Sequence, residues 1–306
     1  MKKDYKTAVP KERLEDSKRI RAKIISKYGF VPQSLLPNMK DKKFDELFTR
    51  DIIAEEKRSY IEHNYNVRSG ALSRFPTRIG VFAMQFWSSP GDRIWDPCIG
   101  RGQRVTIANR LGRHYIGTDV CKEFYDTVID NLMKIGKRSL AGFEILRSDD
   151  DYHHFILNGH HAELLLHDAR NAPIEKESVN LVVTSPPYWD IEFYDDSPDQ
   201  LGTGKSYEEY LDGMRDISRT AFNALKPGGY CIYAINDFRK GGKFYLLHAD
   251  LIQGMMDVGL QPHDIVIYRI ADHPLGAVFA SQLEERKVTA KAHEYLIVGK
   301  KPEVRT

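Results

Sequence analysis

The sequence has few cysteines and no long apolar run, and each absence narrows the class of protein. Only three of the 306 residues are cysteines, and Cys98, Cys121 and Cys231 lie far apart. An odd number of widely spaced cysteines predicts neither a disulfide framework nor a zinc site, which favours a reducing compartment. No apolar stretch reaches the ~18 residues expected of a membrane span, and the polar start MKKDYKTAVPKERLEDSKR lacks the core of a signal peptide. We therefore predict a cytoplasmic protein with no membrane partner.

The sequence also lacks a strong overall charge, but its charge is unevenly distributed. The formal net charge is +2, so the bulk composition does not indicate a nucleic-acid partner. Residues 1–30 nevertheless contain ten Lys or Arg and four acidic residues. This basic segment is either a phosphate-contacting element or the solvated face of a helix.

The chain divides into two regions of different texture. Residues 1–70 are polar and predicted to be a helical, basic N-terminal extension, whereas apolar strand-like and helical segments alternate over residues 71–306. Such alternation predicts an α/β domain with a mainly parallel sheet. No helix is predicted between the last two strands, HDIVIYRI and HEYLIVGKK. We expect these two strands to form an antiparallel pair at one edge of the sheet.

A glycine-containing turn follows the first strand of the α/β region. In WDPCIGRGQR, Gly100 and Gly102 lie between a strand and a helix, and Asp119 ends the next strand in YIGTDV. Glycines allow a ligand to approach the backbone, and an acid at that position accepts both hydroxyls of a ribose. The phosphate-binding lysine of a P-loop and the third glycine of the dinucleotide fingerprint are both missing. The pattern therefore favours S-adenosylmethionine over ATP and NAD, the alternative being a purely structural turn.

Two further strands end in residues of chemical interest. Asp168, in LLLHDARN, is a candidate acceptor for an adenine amino group or, equally, a turn cap. The strand in VVTSPPYWD ends at two consecutive prolines, which cannot donate ladder hydrogen bonds, and two large aromatic residues follow. Because ligands bind beyond the carboxyl ends of the strands in open parallel sheets, we expect these strand ends to meet at one rim.

The segment TSPPYWD resembles the catalytic motif of DNA amino-methyltransferases, which methylate the exocyclic nitrogen of cytosine or adenine. The resemblance extends over about residues 72–301. FPTRIGVFAMQFWSSPGDRIWDPCIGRGQRVTIANRLGRHYIGTDV resembles the cofactor half of that family, and DQLGTGKSYEEYLDGM, ALKPGGYCIYAINDF and HEYLIVGKK resemble its catalytic half. The family resemblance implies a Rossmann-like methyltransferase sheet with an antiparallel C-terminal strand, so residues 71–306 are predicted to be a methyltransferase catalytic domain.

The resemblance also implies a mechanism for the proline-containing segment. An exocyclic amine is a poor nucleophile because its lone pair is conjugated with the ring. The Ser185 hydroxyl and the Pro186 carbonyl, held rigid by Pro187, are expected to accept its two hydrogens and free that lone pair. A base inside a duplex cannot reach such a pocket, so it must be flipped out. Tyr188 would stack on the flipped base, contributing ~1–3 kcal/mol, and Trp189 would add to the pocket wall.

By the same resemblance, a set of residues is assigned to the cofactor and another to DNA. Phe75 and Pro76 are expected to close over the methionine end of the cofactor. The remaining cofactor-site residues are Asp96, Pro97, Gly100, Gly102, Asp119 and Asp168. No separate target-recognition domain is evident, so recognition is assigned to residues 1–70, 136–162, 190–206 and 271–292. In DFRKGGKFY, Arg239, Lys240 and Lys243 are either a mobile phosphate-contacting loop or a solvated turn.

Several alternatives remain open from the sequence. In the family that the motif resembles, a serine at its head, here Ser185, is more typical of cytosine N4 methylation, so cytosine N4 is the favoured target and adenine N6 the alternative. RNA or protein amines and an inactive DNA-binding module are further alternatives. The histidine-rich segment DDDYHHFILNGHH fits no known metal-ligand spacing, so we predict no metal. The expected partner is double-stranded DNA, and a second copy of the chain and a cognate restriction endonuclease are candidate partners.

Overall fold

The structure of the chain is a computed structural model. It describes residues 11–28, 32–36, 75–138, 142–191, 197–202, 204–269, 287–289 and 292–303. The described helices are α1 (Lys11–Tyr28), α2 (Thr77–Trp87), α3 (Gln103–Arg110), α4 (Lys122–Arg138), α5 (Tyr207–Ala224) and α6 (Leu247–Asp257), with a short 3₁₀ turn at Ala169–Asn171. The described strands are β1 (Leu35–Leu36), β2 (Arg93–Asp96), β3 (His114–Asp119), β4 (Phe143–Ser148), β5 (Tyr152–Leu157), β6 (His160–Leu166), β7 (Val179–Thr184), β8 (Leu225–Ile235), β9 (Phe238–Lys240), β10 (Lys243–Tyr245), β11 (Gln261–Arg269) and β12 (His293–Lys300).

Ten of these strands form one sheet in the order β1-β11-β12-β8-β7-β2-β3-β6-β5-β4. Strands β6, β3, β2, β7 and β8 are parallel neighbours, and β12 runs antiparallel to both β8 and β11. This order confirms the predicted Rossmann-like methyltransferase sheet with an antiparallel C-terminal strand. The last two strands, β11 and β12, pair antiparallel as predicted, but the pair is not the outermost one, because the two-residue strand β1 pairs with the outer side of β11.

Helices cover both faces of the sheet, and the alternation of side chains along each strand divides the core in two. On one face, α2, α3 and α4 pack against Ile94, Leu181 and Ile232. On the other face, α5 and α6 pack against Trp95, Val182 and Cys231. Because the central strands are covered on both sides, their carboxyl ends are the part of the sheet left open to a ligand.

Helix α5 begins at a capping box that the sequence encodes locally. The Ser206 hydroxyl accepts a hydrogen bond from the Glu209 N–H at 3.1 Å, and the Glu209 carboxylate accepts from the Ser206 N–H at 2.7 Å. A cap of this kind contributes about 1 kcal/mol to helix stability. It fixes the first turn of the helix, which carries Tyr207 and Tyr210 toward the open end of the sheet.

The regions predicted to be insertions and extensions take defined forms where they are described. Residues 143–157, part of the segment predicted as an insertion, form the antiparallel strands β4 and β5 that extend the sheet beyond β6. Residues 11–28 are helical, and the described side chains of α1 are almost all exposed. The rest of residues 1–70, apart from 32–36, and most of residues 271–292 lie outside the described residues, so the division into an extension and a domain stays a prediction. None of the described helices combines the length and apolar character needed to cross a bilayer.

Candidate active site

The strand ends predicted to meet do lie side by side. Asp96, the last residue of β2, pairs with Gly117 of β3, and Trp95 pairs with Val182 of β7. In turn, Thr184, the last residue of β7, pairs with Tyr233 of β8. The glycine turn after β2, the acid that ends β3 and the proline segment after β7 therefore share one rim of the sheet.

The two glycines of the turn are needed for different structural reasons. Both have a positive φ, +53° at Gly100 and +74° at Gly102, a conformation that side chains with a Cβ adopt at a cost. A Cβ at Gly102 would lie 2.7 Å from both methyl groups of Val128, whereas a Cβ at Gly100 would meet nothing within 4 Å. Gly102 is therefore required by packing, and the open space above Gly100 gives the surface that a nucleoside cofactor would approach.

Asp119 ties the glycine turn to the end of β3. One carboxylate oxygen accepts the N–H of Gly100 at 2.8 Å, and the other accepts the N–H of Cys121 at 2.9 Å. These two bonds hold the glycine turn against the end of β3. Asp119 is half-buried at this rim, and its contact with a ribose stays a prediction.

Asp96 ends β2 directly before the turn, and its side chain is fully buried. The Arg104 guanidinium donates to both of its oxygens, at 2.6 and 3.2 Å, and the Tyr115 hydroxyl donates at 2.6 Å. The N–H of Cys98 donates to it as well, at 3.2 Å. Because these donors belong to the turn, to α3 and to β3, Asp96 holds these elements together beneath the turn.

The other predicted cofactor residues of the first half surround the same buried pair. Phe75 is buried, and the Arg104 guanidinium lies 4.7 Å from its ring centroid. Pro76 is the N-cap of α2, and its carbonyl accepts the N–H groups of Ile79 and Gly80. The carbonyl of the buried Pro97 accepts the Thr118 hydroxyl at 2.9 Å. The structure thus brings these residues to the glycine turn, and their contact with a cofactor stays a prediction.

Asp168 is at the rim but is already paired. Its carboxylate accepts the backbone N–H of Arg170 at 2.8 Å and pairs with the Arg170 guanidinium at 2.6 Å. The same guanidinium reaches Asp199 at 3.2 Å. Of the two alternatives that the sequence leaves open, the structure contains the turn cap, because Asp168 caps the 3₁₀ turn that follows it.

The proline segment after β7 is anchored at one carbonyl and open at another. The Tyr210 hydroxyl of α5 donates to the Pro187 carbonyl at 3.0 Å. Within the described part of the chain, neither the Pro186 carbonyl nor the Ser185 hydroxyl makes a hydrogen bond. Tyr188 is half-buried and packs at the border of the α5–α6 core. The segment therefore presents two acceptors without a hydrogen bond among the described residues, and their role toward an amine stays a prediction.

Cys98 joins the glycine turn to the proline segment. Its thiol lies against the hydroxyl of Thr184, which is fully buried and has no hydrogen bond of normal geometry among the described residues. Burial, reinforced by the negative charges of Asp119 and Asp96, raises the pKa of the Cys98 thiol far above its ordinary value. The thiol stays protonated at neutral pH and is unsuited to act as a nucleophile.

Trp189 belongs to an aromatic cluster beside the proline segment. Its ring centroid lies 5.1 Å from those of Tyr207 and Tyr245 and 6.1 Å from that of Phe238. Its indole N–H donates to the carbonyl of Lys205 at 2.8 Å. These contacts fix the turn that follows Tyr188, and the predicted place of Trp189 in the wall of a base pocket stays a prediction.

The segment predicted as a loop with Arg239, Lys240 and Lys243 is an antiparallel hairpin. Strands β9 and β10 pair across a turn of two glycines, both with positive φ, as a tight hairpin turn requires. Lys240 pairs with the Asp190 carboxylate and donates to its carbonyl at 2.7 Å. The exposed Arg239 and Lys243 each lie over an aromatic ring of the hairpin, at 4.4 and 4.8 Å from the ring centroid. The hairpin therefore presents two exposed cations beside the aromatic cluster.

Sequence reasoning missed a polar group at the end of β8. Asp237 is buried, and its carboxylate accepts from the His248 backbone N–H at 3.2 Å and from the ring Nδ1 at 2.6 Å. The His248 ring stacks on Tyr295 at 4.5 Å, and burial together with Asp237 raises the pKa of Tyr295. The neighbouring Asn236 has a buried side-chain oxygen with no hydrogen bond in the described structure. The signal was available, since INDF follows an apolar strand just as TSPP does.

The histidine-rich segment runs along β5 and β6. His160 and His161 lie at the end of the strands opposite this rim, whereas the Asp151 carbonyl accepts the N–H of Leu166 at the rim end. His154 Nε2 and His161 Nδ1 are 2.8 Å apart, and His114 accepts the His161 N–H at 3.0 Å. Burial and the neighbouring histidines lower the pKa of His114. No three His, Cys, Asp or Glu side chains in the described residues converge in a way that would hold a metal ion.

Comparison with known proteins finds similarity to DNA methyltransferases over part of the chain. The sheet order already defines a Rossmann-like methyltransferase fold, with its ligand rim at the ends of β2, β3, β7 and β8. Residues 179–305, which contain the proline segment and the hairpin, match the N6/N4 methyltransferase family model described as DNA methylase.

Curated relatives and solved structures are similar to parts of the chain. It is 33% identical over 106 residues to the type II methyltransferase M.MjaVI of Methanocaldococcus jannaschii, covering 34% of this chain and 52% of the relative. It is 28% identical over 145 residues to M.MthZI of Methanothermobacter thermautotrophicus, covering 42% and 41%. A putative DNA modification methylase from Thermus thermophilus, solved with S-adenosyl-L-methionine, is 30% identical over 45% of this chain and 55% of that one, with a TM-score of 0.34. The chain thus spans about half the length of M.MjaVI, and less of M.MthZI.

Proposed function

We propose that this chain is an S-adenosylmethionine-dependent DNA methyltransferase that transfers a methyl group to the exocyclic nitrogen of a flipped base. The observation that supports this most directly is the pair of unused acceptors, the Ser185 hydroxyl and the Pro186 carbonyl, beside the glycine turn. The match of residues 179–305 to the DNA methylase family model supports the choice of DNA. When bound, the cofactor supplies an electrophilic methyl group.

The residues of the chain divide the work of binding and activation. Asp119, which binds the N–H of Gly100 beside the open surface at that glycine, would hold the ribose of the cofactor. Ser185 and Pro186 would accept the two hydrogens of the target amine and draw its nitrogen toward tetrahedral geometry. Tyr210 holds the next carbonyl at 3.0 Å, which keeps this segment in place without further reorganisation. Tyr188 would stack on the base.

Cytosine N4 is the target that we favour, with adenine N6 as the second candidate. The test is expression in a host without its own amino-methylation, followed by mass spectrometry of nucleosides from hydrolysed DNA. Accumulation of 4-methylcytosine supports the favoured target and 6-methyladenine the second one. If neither accumulates and the purified protein still binds S-adenosylmethionine, the DNA substrate is wrong.

A pair of serine variants separates the active segment from the rest of the fold. We expect Ser185→Ala to abolish most of the methylation. Cofactor binding should stay intact, because Ser185 follows β7 and is not part of the glycine turn after β2. Ser89→Ala is the matched control, since Ser89 is exposed and precedes β2 at the other end of the sheet. Loss of cofactor binding in Ser185→Ala would contradict the role given to this hydroxyl.

The hairpin is the proposed phosphate-contacting element. Arg239 and Lys243 are exposed, have no carboxylate partner among the described residues, and are oriented by the rings beneath them. Replacing both by alanine should weaken DNA binding for all sequences and reduce the slope of log K against log salt by about 2. The control is Lys176→Ala, an exposed lysine that precedes β7 at the far end of the sheet. An unchanged slope would exclude the hairpin from the DNA interface.

A further inference from the structure

Asn236 is a polar residue at the rim that the proposed mechanism has not used. It follows the last residue of β8 directly and precedes the buried Asp237. Its side-chain oxygen is buried and accepts no hydrogen bond in the described structure. An acceptor buried without a donor costs free energy, and such groups in native proteins call for an explanation, often a ligand or a functional role.

Extending the register of β7 and β8 by a few residues past their ends places Asn236 near Ser185 and on the same face. Thr184 pairs with Tyr233, so one further step puts Ser185 level with Ala234. Ala234 packs in the core under α2, and side chains alternate along a strand, so Asn236 follows Ala234 on that face. Parallel strands lie about 4.8 Å apart and rise about 3.3 Å per residue, so positions one strand and two residues apart have Cα atoms about 8 Å apart, a distance that these two side chains span directly or through one water.

The chemistry of a hydroxyl supplies the reason for this placement. A serine hydroxyl has two lone pairs and a single hydrogen. If the Ser185 oxygen accepts a hydrogen from the target amine, its own hydrogen must point to another acceptor. Donation to that acceptor polarises the oxygen and strengthens its bond to the amine. Within the described residues, the Ser185 hydroxyl has no such acceptor and the Asn236 side-chain oxygen has no donor, so a hydrogen bond from Ser185 to Asn236 would satisfy both groups.

We infer that Asn236 is a positioning residue that accepts the Ser185 hydroxyl hydrogen and aims the serine oxygen at the amine of the target base. This inference rests on the proposed function. It assigns Asn236 an acceptor role, so the aspartate variant should substitute for it. A side chain that instead reads the ring of the base would need its amide N–H as a donor.

The experiment is a double-mutant cycle on purified protein with duplex DNA and S-adenosylmethionine. We expect Asn236→Ala to lower kcat about tenfold, the effect of one net hydrogen bond, with KM for DNA and cofactor affinity unchanged. Asn236→Asp should keep most of the activity. In the Ser185→Ala background, Asn236→Ala should have no further effect. Asn171→Ala, an exposed asparagine in the 3₁₀ turn, is the matched control.

The outcomes separate this inference from the proposed function. Additive effects of the two alanine variants, or an Asn236→Asp variant as impaired as Asn236→Ala, would overturn the positioning role while DNA methylation by the unmodified protein stands. A raised KM for DNA with unchanged kcat would assign Asn236 to base reading and also overturn it. If the unmodified protein transfers no methyl group, the proposed function fails and the inference fails with it. Circular dichroism and urea unfolding of each variant verify that it is folded.

Discussion

Replacing the two glycines of the turn separately tests how the structure divides packing from ligand access. An alanine at either site takes a left-handed conformation, which costs about 1–2 kcal/mol. At Gly102 the new methyl group also lies 2.7 Å from both Val128 methyls, and overpacking of this kind costs about 1–3 kcal/mol more. We therefore expect Gly102→Ala to lower the free energy of unfolding by about 2–5 kcal/mol and Gly100→Ala by about 1–2 kcal/mol.

The assay is equilibrium urea unfolding followed by tryptophan fluorescence, with S-adenosylmethionine affinity measured by calorimetry on the same variants. Val128→Ala removes the two methyl groups that cause the clash, so it should be less harmful, or even helpful, in the Gly102→Ala background. Affinity should change in the opposite order, with Gly100→Ala weakening the cofactor by about 10- to 200-fold. Equal destabilisation by both glycine variants, or no coupling to Val128, would refute the packing argument.

Three further predictions concern other contacts of the fold. Arg104→Met leaves the buried carboxylate of Asp96 without its cation and should lower the free energy of unfolding in urea by about 3–5 kcal/mol. Arg147→Met breaks an exposed pair and should lower it by less than about 1 kcal/mol. Similar losses in the two variants would contradict the stabilising role of the buried pair. Tyr210→Phe frees the carbonyl that it holds at 3.0 Å and should cost about 1 kcal/mol and lower kcat, which steady-state kinetics would show. Burial lowers the pKa of His154 in the fold, so the unfolded chain binds more protons below its ordinary pKa of about 6.5. Stability should therefore be present above that pH and be lost as the pH falls below it, less steeply in His154→Gln than in the exposed control His263→Gln; equal slopes would contradict this.

The sequence predicts the sheet class and the convergence at the rim because both follow from local patterns. Alternating apolar segments and the stops at Gly100, Asp119 and Pro186 are visible without knowing any contact. The antiparallel pair after residue 260 is predictable for the same reason, but its position inside the sheet is not. That position depends on which strands find each other across long stretches of chain, and β1 supplies an edge partner from far upstream.

The division of labour within the site is not readable from the sequence. Asp96 and Asp119 look alike as strand-ending acids, yet Asp96 is fully buried and paired with an arginine, whereas Asp119 is half-buried and accepts two backbone N–H groups. Asp168 satisfies its carboxylate with Arg170, two residues away, a local pairing that a pattern alone leaves ambiguous. The pairing of Lys240, at the end of β9, with Asp190 is equally invisible in the sequence, because the two residues are 50 positions apart.

The short strand β1 has a practical consequence for any shortened form of the protein. Leu36 is buried against the sheet, and the Ser34 carbonyl accepts the N–H of Ile267 at 2.7 Å. A chain that started at residue 75 would uncover β11 at Ile267 and Tyr268, where β1 pairs with it, and leave backbone groups there unpaired. Exposed strand edges recruit other strands, so such a fragment should self-associate at concentrations where the full chain stays dispersed, even though the rim at the ends of β2, β3 and β7 is untouched.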